Sequence, residues 1–243
     1  MLEKVAQYES NEADFTPHDQ IDFASVMAVA VHDMKNSLSL LLHNIEQLSE
    51  AIPKDQLDSR QGIVDLHYEA SRMNTTLVQV LSLYRCDRNS LPLHVDECFL
   101  VDLIEELADS NATYTKQKNI AIELDVNEDL SWYLDKDLIF LLLNDVVVNS
   151  MRYDASVIRI SASVENDCLS IAVEDDGQGY PQSMLDISNA EMSSLSISEG
   201  RTGLGLYFAR MIAQAHKNNN QHGSIELTNS SVTGGSIFSV KLP

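Results

Sequence analysis

Between Ala24 and Ile52, apolar residues recur at every third or fourth position without a break: Ala24, Met27, Val31, Met34, Leu38, Leu41, Ile45, Leu48 and Ile52. This is a heptad seam of about four repeats, the pattern of a long helix that buries one narrow stripe. Pro53-Lys54-Asp55 interrupts it, and a second seam runs through Ile63, Leu66, Ala70, Met73, Leu77, Val80 and Tyr84. Two long helices joined by a short turn predict an antiparallel hairpin. A hairpin with one stripe per helix cannot enclose a core. Its expected completion is a four-helix bundle made with a second copy, a homodimer of two-fold symmetry.

The flanking sequence divides accordingly. Residues 1–21 form an acidic tail without a sustained period, residues 22–88 carry the hairpin, and Arg88-Asn89-Ser90-Leu91-Pro92 stops the helical pattern, marking a linker at 89–93. Residues 94–243 mix both periods. Val101 to Leu107 and Lys136 to Met151 read as helices. Ile120 to Val126, Val157 to Val164, Leu169 to Val173, Ser224 to Thr228 and Ser236 to Leu242 read as strands. An α/β unit with a mixed or antiparallel sheet is expected.

Charge and composition narrow the function classes. With 37 Asp and Glu against 16 Lys and Arg, the net charge of −21 disfavours nucleic acid and anionic membrane surfaces as partners. No apolar run approaches the roughly 20 residues of a membrane helix, and Met1-Leu2-Glu3-Lys4 lacks the basic start and apolar centre of a secretory signal. Three cysteines, Cys86, Cys98 and Cys168, are an odd number without metal-site spacing. The expectation is a cytoplasmic protein in a reducing compartment.

Two constellations carry chemistry. With Val31 at heptad position a, His32, Asp33 and Asn36 fall at b, c and f, away from the seam. His32 and Asn36 are i and i+4 on one face, with Asp33 beside them. A carboxylate can accept the proton from one ring nitrogen of an imidazole while the other attacks, and Asn36 can orient a water. His43 is the internal control: it lies on nearly the same face, but Asn44 follows it instead of an acid.

The second constellation is in three pieces. In the helix ending Asn144-Asp145-Val146-Val147-Val148-Asn149-Ser150-Met151-Arg152-Tyr153, Asn149 can offer a carboxamide oxygen to Mg²⁺ and Arg152 can neutralise phosphate. Next, Glu174-Asp175-Asp176-Gly177-Gln178-Gly179 follows a strand, where Asp175 can accept an adenine amino hydrogen and Gly177 and Gly179 allow a turn and close ligand approach. Last, Gly200-Arg201-Thr202-Gly203-Leu204-Gly205-Leu206 opens a helix from Tyr207 to Ala215, exposing backbone N–H groups to phosphate.

His32-Asp33-Met34-Lys35-Asn36 resembles the H-box of sensor histidine kinases, and the three pieces resemble, in order, the N, G1 and G2 boxes of their ATP-binding domain. Gly234-Gly235-Ser236-Ile237-Phe238 resembles its closing strand. The resemblance covers roughly residues 22–243. It implies an α/β sandwich of the Bergerat (GHKL) ATPase type behind the dimeric helical hairpin, with ATP and Mg²⁺ as cofactors. His32 would be the phosphoacceptor, Asp33 the base and Asn36 a phosphatase residue. Asn149 would ligate Mg²⁺ with Asp145 as a further ligand, Arg152 and Arg201 would lie near phosphates, Tyr153 near the nucleotide, and Asp175 on adenine. Gly177 and Gly179 would shape the pocket, and Thr202, Gly203, Leu204, Gly205 and Leu206 would form the hinge of a lid.

The implied function is autophosphorylation of His32 and transfer of the phosphoryl group to an aspartate of a response regulator, with input from a separate sensory protein. Two departures stand out. No aromatic F box is recognisable in Met184 to Glu199, and Asp145 replaces the earlier Asn of the N box. They support the alternative of a degenerate kinase that acts as a phosphatase or binding module. Lys217-Asn218-Asn219-Asn220-Gln221-His222 reads as a polar surface loop.

Overall fold

A computed structural model describes residues 23–51, 62–63, 66–67, 69–77, 91, 93–153, 155–189 and 204–243. The seam from Ala24 folds as helix α1 (Phe23–Ala51), and the described residues between 62 and 77 are helical too. Along α1 the two apolar positions of the repeat separate. Ile45 is buried and Leu38 half-buried, whereas Met34, Leu41 and Leu48, seven residues apart, are exposed. In the second helical stretch Ala70 is buried, while Leu66 and Met73, also seven apart, are exposed. The expected interruption at Pro53 and the seam positions Val80 and Tyr84 lie outside the described residues, as does most of the linker.

The α/β part is built on a five-stranded sheet of order β2-β4-β5-β9-β8, formed by β2 (Ala121–Asp125), β4 (Val157–Glu165), β5 (Cys168–Asp175), β8 (Ser224–Asn229) and β9 (Ser236–Leu242). Only β2 and β4 run parallel; the other pairs are antiparallel, so the sheet is mixed. Two-residue periodicity gives it one inner face. Leu169, Ile171, Val173 and Asp175 of β5 alternate with half-buried neighbours, and Phe238, Val240 and Leu242 do the same on β9. A two-residue turn joins β4 to β5, with Asn166 and Asp167 both at positive φ, as the right-handed twist of paired strands requires.

Helices α2 (Leu100–Ser110), α4 (Lys136–Arg152) and α6 (Leu204–Ala215) supply the apolar layer that completes this core through Leu103, Ile104, Leu107, Ile139, Leu143, Val147, Phe208 and Ile212. Leu91 and Leu93 already pack with it. Short helices α3 (Ala112–Lys118) and α5 (Gln182–Asn189) complete the helical elements described, and β1 (Asp96–Phe99) pairs with β3 (Ser131–Leu134) in a separate two-stranded sheet.

The predicted loop at 217–222 is instead a small hairpin in which β6 (Lys217–Asn218) pairs with β7 (Gln221–His222), turning at Asn219 with φ 55°. Its residues are exposed, and its base is fixed by His216, a buried imidazole. Nδ1 of His216 donates to the Ile212 carbonyl (2.8 Å), and Nε2 accepts the Asp135 N–H (3.0 Å). The Asp135 carboxylate in turn caps α4 by accepting from Leu138 N (3.0 Å) and also accepts from His94 N (2.8 Å). Among the described residues no helix is long and apolar enough to cross a membrane.

Candidate functional site

The acid pair that ends β5 divides its labour by side-chain direction. Asp176 is exposed, and its Oδ1 accepts the N–H groups of Ser156 (2.7 Å) and Val157 (2.9 Å), tying the G1 turn to the start of β4. Donation from Val157, reinforced by Ser156, holds this carboxyl below the usual range. Asp175 points inward and is buried. Its Oδ1 accepts from Gly177 N (2.9 Å) and Ser236 N (3.1 Å), and its Oδ2 accepts from the Ser236 hydroxyl in a short hydrogen bond. A carboxylate has about four acceptor positions. Three are filled here, which leaves about one, on Oδ2, for a donor from outside the protein.

The turn after Asp175 is pressed between two other parts of the chain. A Cβ on Gly177 would lie 2.7 Å from the Tyr153 carbonyl, so the end of α4 abuts the G1 turn. Gly179 has φ +73°, a conformation a side chain would strain, and a Cβ there would meet Gly234 O at 2.6 Å. The two elements that the sequence separates by some twenty residues are therefore adjacent. Asn149, Arg152 and Tyr153 all lie exposed on the last turns of α4 beside this junction, and Asp145 lies half-buried one turn earlier. Arg152 carries its guanidinium 5.9 Å from the centroid of the Tyr153 ring.

Three residues that sequence reasoning missed complete the arrangement: Tyr180, Asn229 and Ser236. Asn229 clamps Tyr180 reciprocally, its Oδ1 accepting the Tyr180 N–H (2.7 Å) and its Nδ2 donating to the Tyr180 carbonyl (3.0 Å). Burial pushes the Tyr180 phenol up to about 12; its hydrogen bond with Ser236 works against this and the nearby Asp175 charge adds to it. The only local signal for Ser236 is the Gly234-Gly235 pair before its strand. A Cβ on Gly235 would lie 1.9 Å from the Asp175 carbonyl, so only glycine lets β9 close on the acid.

The remaining predicted residues divide between the two parts of the chain. Asp33 and Asn36 are exposed on α1, as the heptad assignment requires, while the His32 side chain lies outside the described residues although its backbone is helical. His43 is exposed, and its Nε2 accepts from Gln47 Nε2 (3.0 Å) one turn on. Arg201, Thr202 and Gly203 lie outside the described residues. Leu204, Gly205 and Leu206, expected in a turn ahead of a helix starting at Tyr207, form the first turn of α6 instead. Apolar side chains at Leu206, Phe208 and Ala209 pack on the core and draw the helix start forward.

No group of three or more His, Cys, Asp or Glu side chains able to hold a metal occurs among the described residues. Mg²⁺ takes one or two protein oxygens and completes its shell with water and phosphate, and the carboxamide of Asn149 and the carboxylate of Asp145 have the right chemistry for it. A cleft of about 340 Å³ at the opposite end of α4 is lined by Asp96, Glu97, Asp102, Asp135 and Asp137. It lies ~20 Å along the helix from Asn149, and its acidic lining would repel a triphosphate.

Comparisons with known proteins give the relatives of this chain. Residues 134–243 match the family described as histidine kinase-, DNA gyrase B- and HSP90-like ATPase. The chain is 25% identical over 238 residues to the adaptive-response sensory kinase SasA of Crocosphaera subtropica, covering 93% of this chain and 60% of that protein. It is 23% identical over 221 residues to the histidine protein kinase SaeS of Staphylococcus epidermidis, covering 87% and 62% respectively. The chain thus spans about three fifths of these curated relatives. The solved histidine kinase AdeS of Acinetobacter baumannii has a similar fold, with a TM-score of 0.55 at 20% identity over 87% of this chain and 96% of that one.

Proposed function

From the premise that residues 134–243 are an ATPase domain of the histidine kinase, gyrase B and HSP90-like family, we propose that this chain is a two-component histidine kinase. In this reading it phosphorylates His32 from ATP and passes the phosphoryl group to an aspartate of a response regulator. The observation that carries it is the buried Asp175, with one acceptor position left, at the start of a turn whose Gly177 abuts the helix end that bears Asn149, Arg152 and Tyr153. An adenine amino group fits that acceptor, and phosphates would extend along the end of α4 toward Arg152 and, from the lid, Arg201 and the backbone of Thr202 to Leu206.

Bound ATP would supply the transferable phosphoryl group, and Mg²⁺, which Asn149 and Asp145 would hold, would supply charge neutralisation. The protein's own contribution is positioning. Asp33 takes the proton from one ring nitrogen of His32 so that the other can attack, and Arg152 offsets charge on the transferring group. Asn36 would orient water for the reverse hydrolysis. His32 stands in the helical part and Asp175 in the ATPase part, so transfer requires the ATPase domain to move on the linker at 89–93.

The exposed stripe of Met34, Leu41 and Leu48 supports pairing of two chains in a four-helix bundle. A separate protein acting on the helices or the tail would supply the stimulus. Label from [γ-³²P]ATP should be retained in His43→Gln and lost in His32→Gln; the opposite pattern would refute the assignment. Asp145 and the unrecognisable F box favour a second reading, a nucleotide-binding regulator without kinase activity, for which ATP binding without label on any histidine is the mark.

Residues 94–243 hold 23 acidic and only 9 basic side chains, so bulk charge opposes a triphosphate. Affinity for ATP should therefore fall by tenfold or more, on the order of 1.4 kcal/mol, when Mg²⁺ is removed with EDTA. Equal affinity with and without the metal would contradict the role given to Asn149.

A further inference from the structure

The turn that bears Asp175 runs on to Tyr180, and each of its ends is held by a side chain from the same pair of neighbouring strands. At its start, Asp175 accepts from the N–H and the hydroxyl of Ser236. At its end, Asn229 holds the Tyr180 peptide, Oδ1 accepting the N–H (2.7 Å) and Nδ2 donating to the carbonyl (3.0 Å). Asn229 and Ser236 are register partners across β8 and β9. The loop between them is closed by Ser230 N donating to Gly235 O (2.8 Å) and Gly234 N donating to Ser230 O (3.0 Å), so the two holding points keep a fixed separation.

The chemistry of the far clamp selects its residue. A peptide edge presents one donor and one acceptor, and within a sheet a facing strand supplies their complements. Tyr180 lies beyond the end of β5. There the Asn229 carboxamide, with its donor and acceptor on separate atoms of one plane, takes the place of a strand. A carboxylate would set an oxygen against the Tyr180 carbonyl, and an aliphatic side chain would offer neither group. The fit is also close: a Cβ on Gly179 would lie 3.0 Å from both Cγ and Oδ1 of Asn229. Asn229 therefore fixes the path of the turn as well as its last peptide.

We infer that Asn229 is a positioning residue for the nucleotide site: its carboxamide closes at Tyr180 the turn that Ser236 closes at Asp175, and so holds the turn in its binding shape before a ligand arrives. The inference rests on the nucleotide reading above and deepens it. Asn229 touches no ligand in this scheme. It acts through the fraction of molecules whose turn has the binding shape, since apparent affinity is reduced by that fraction. Two hydrogen bonds at a partly exposed site set the scale, and their loss should weaken binding about 3- to 30-fold.

Titration calorimetry with Mg·ATP on the full chain tests this, with the unfolding midpoint of each variant read from Trp132 fluorescence alongside. Asn229→Ala removes both bonds and should weaken Mg·ATP by that factor. Asn229→Asp keeps the acceptor but loses the donor, and should weaken it by at least about threefold. The control is Glu226→Ala on the same strand, which breaks the Glu226–Lys241 pair (2.7 Å) across β8 and β9 and leaves the Tyr180 clamp intact. It should change affinity less than about twofold. Loss of strand stability alone leaves affinity unmoved while the midpoint stays well above the titration temperature.

Wild-type affinity in Asn229→Ala or in Asn229→Asp would overturn the inference, and so would an equal loss in Glu226→Ala. If Asn229→Ala fails to fold, Asn229→Asp carries the test; failure of both would make Asn229 a residue of the fold and overturn the inference as well. A wild-type chain that does not bind Mg·ATP refutes the nucleotide reading itself, an outcome seen before any variant is made.

Discussion

The helical part and the α/β part of this chain bury their apolar residues in opposite ways. In the α/β part Leu103, Ile104, Leu107, Ile139, Leu143, Ile158 and Ile160 are fully buried by the chain's own elements. Along α1, whose apolar positions are just as regular, Leu40 and Leu48 are more than half exposed and Met34 and Leu41 more than two fifths. Regular patterning shows that a residue is meant to be buried but not by which chain. The α/β part covers its own apolar face, whereas under the proposed pairing of two chains the stability of the helical part would depend on association.

The largest effect that tests this contrast comes from truncating the α/β core. Leu143→Ala should cost about 2–5 kcal/mol, read by the fluorescence of Trp132, the single tryptophan, which lies on β3. Leu41→Ser should leave the Trp132 transition in place and shift the helical signal at 222 nm, in a manner that depends on protein concentration. Coincident, concentration-independent transitions for both probes would show that the two parts are one cooperative unit.

A smaller effect belongs to Tyr180. Its folded-state pKa near 12 lies above the ordinary value near 10, so the neutral phenol favours the folded state. That stability is complete below about pH 10 and is lost as pH rises toward 12, about 2–3 kcal/mol in all. Denaturant titrations across this range should show the decline in Trp132 fluorescence, with Tyr180→Phe removing it. A decline confined to the helical signal would place its origin elsewhere.

Asp176 gives a weaker, opposite dependence. Its carboxyl is depressed in the folded state, so its contribution is present above the unfolded value of about 3.9 and disappears as pH falls below it. Asp176→Asn should be less stable than wild type at pH 7 and should converge on it in acid; a constant gap would mean that the Ser156 and Val157 contacts do not depend on its charge. Smallest of all, Glu123→Gln breaks the half-exposed pair with Arg159 across β2 and β4 and should leave the unfolding midpoint unchanged within error.

Much of the α/β architecture was legible because its elements are long and periodic. The strand from Ser236 to Leu242 begins and ends where alternation places it, and the helix from Lys136 extends one residue beyond the expected Met151. Strands β1 and β3 were not legible, being four residues each, too short to establish a period. The polar composition of Ala112–Lys118 likewise conceals a helix held mainly by position.

In the site, Asp175 could be read from the sequence because an acid at a strand end before two glycines is a local pattern. Ser236 and Asn229 could not, because they reach Asp175 and Tyr180 only through the register of β9 on β5 and of β8 on β9. The start of α6, expected as the hinge of a lid, was the least legible boundary, since the glycines of Gly203-Leu204-Gly205 suggest an open turn while packing of the following apolar residues winds the helix from Leu204.

The small hairpin after α6 has a practical use. Its tip at Asn219 and Asn220 is solvent-exposed and its backbone makes two short strand pairings, while the adjoining His216 is locked to Asp135 beneath it. A fluorophore or inserted peptide at that tip would be carried by the C-terminal end of α6 without entering the core. The opposite end of the same helix begins at Leu204, so the tip offers an external handle for following that helix when nucleotide is added.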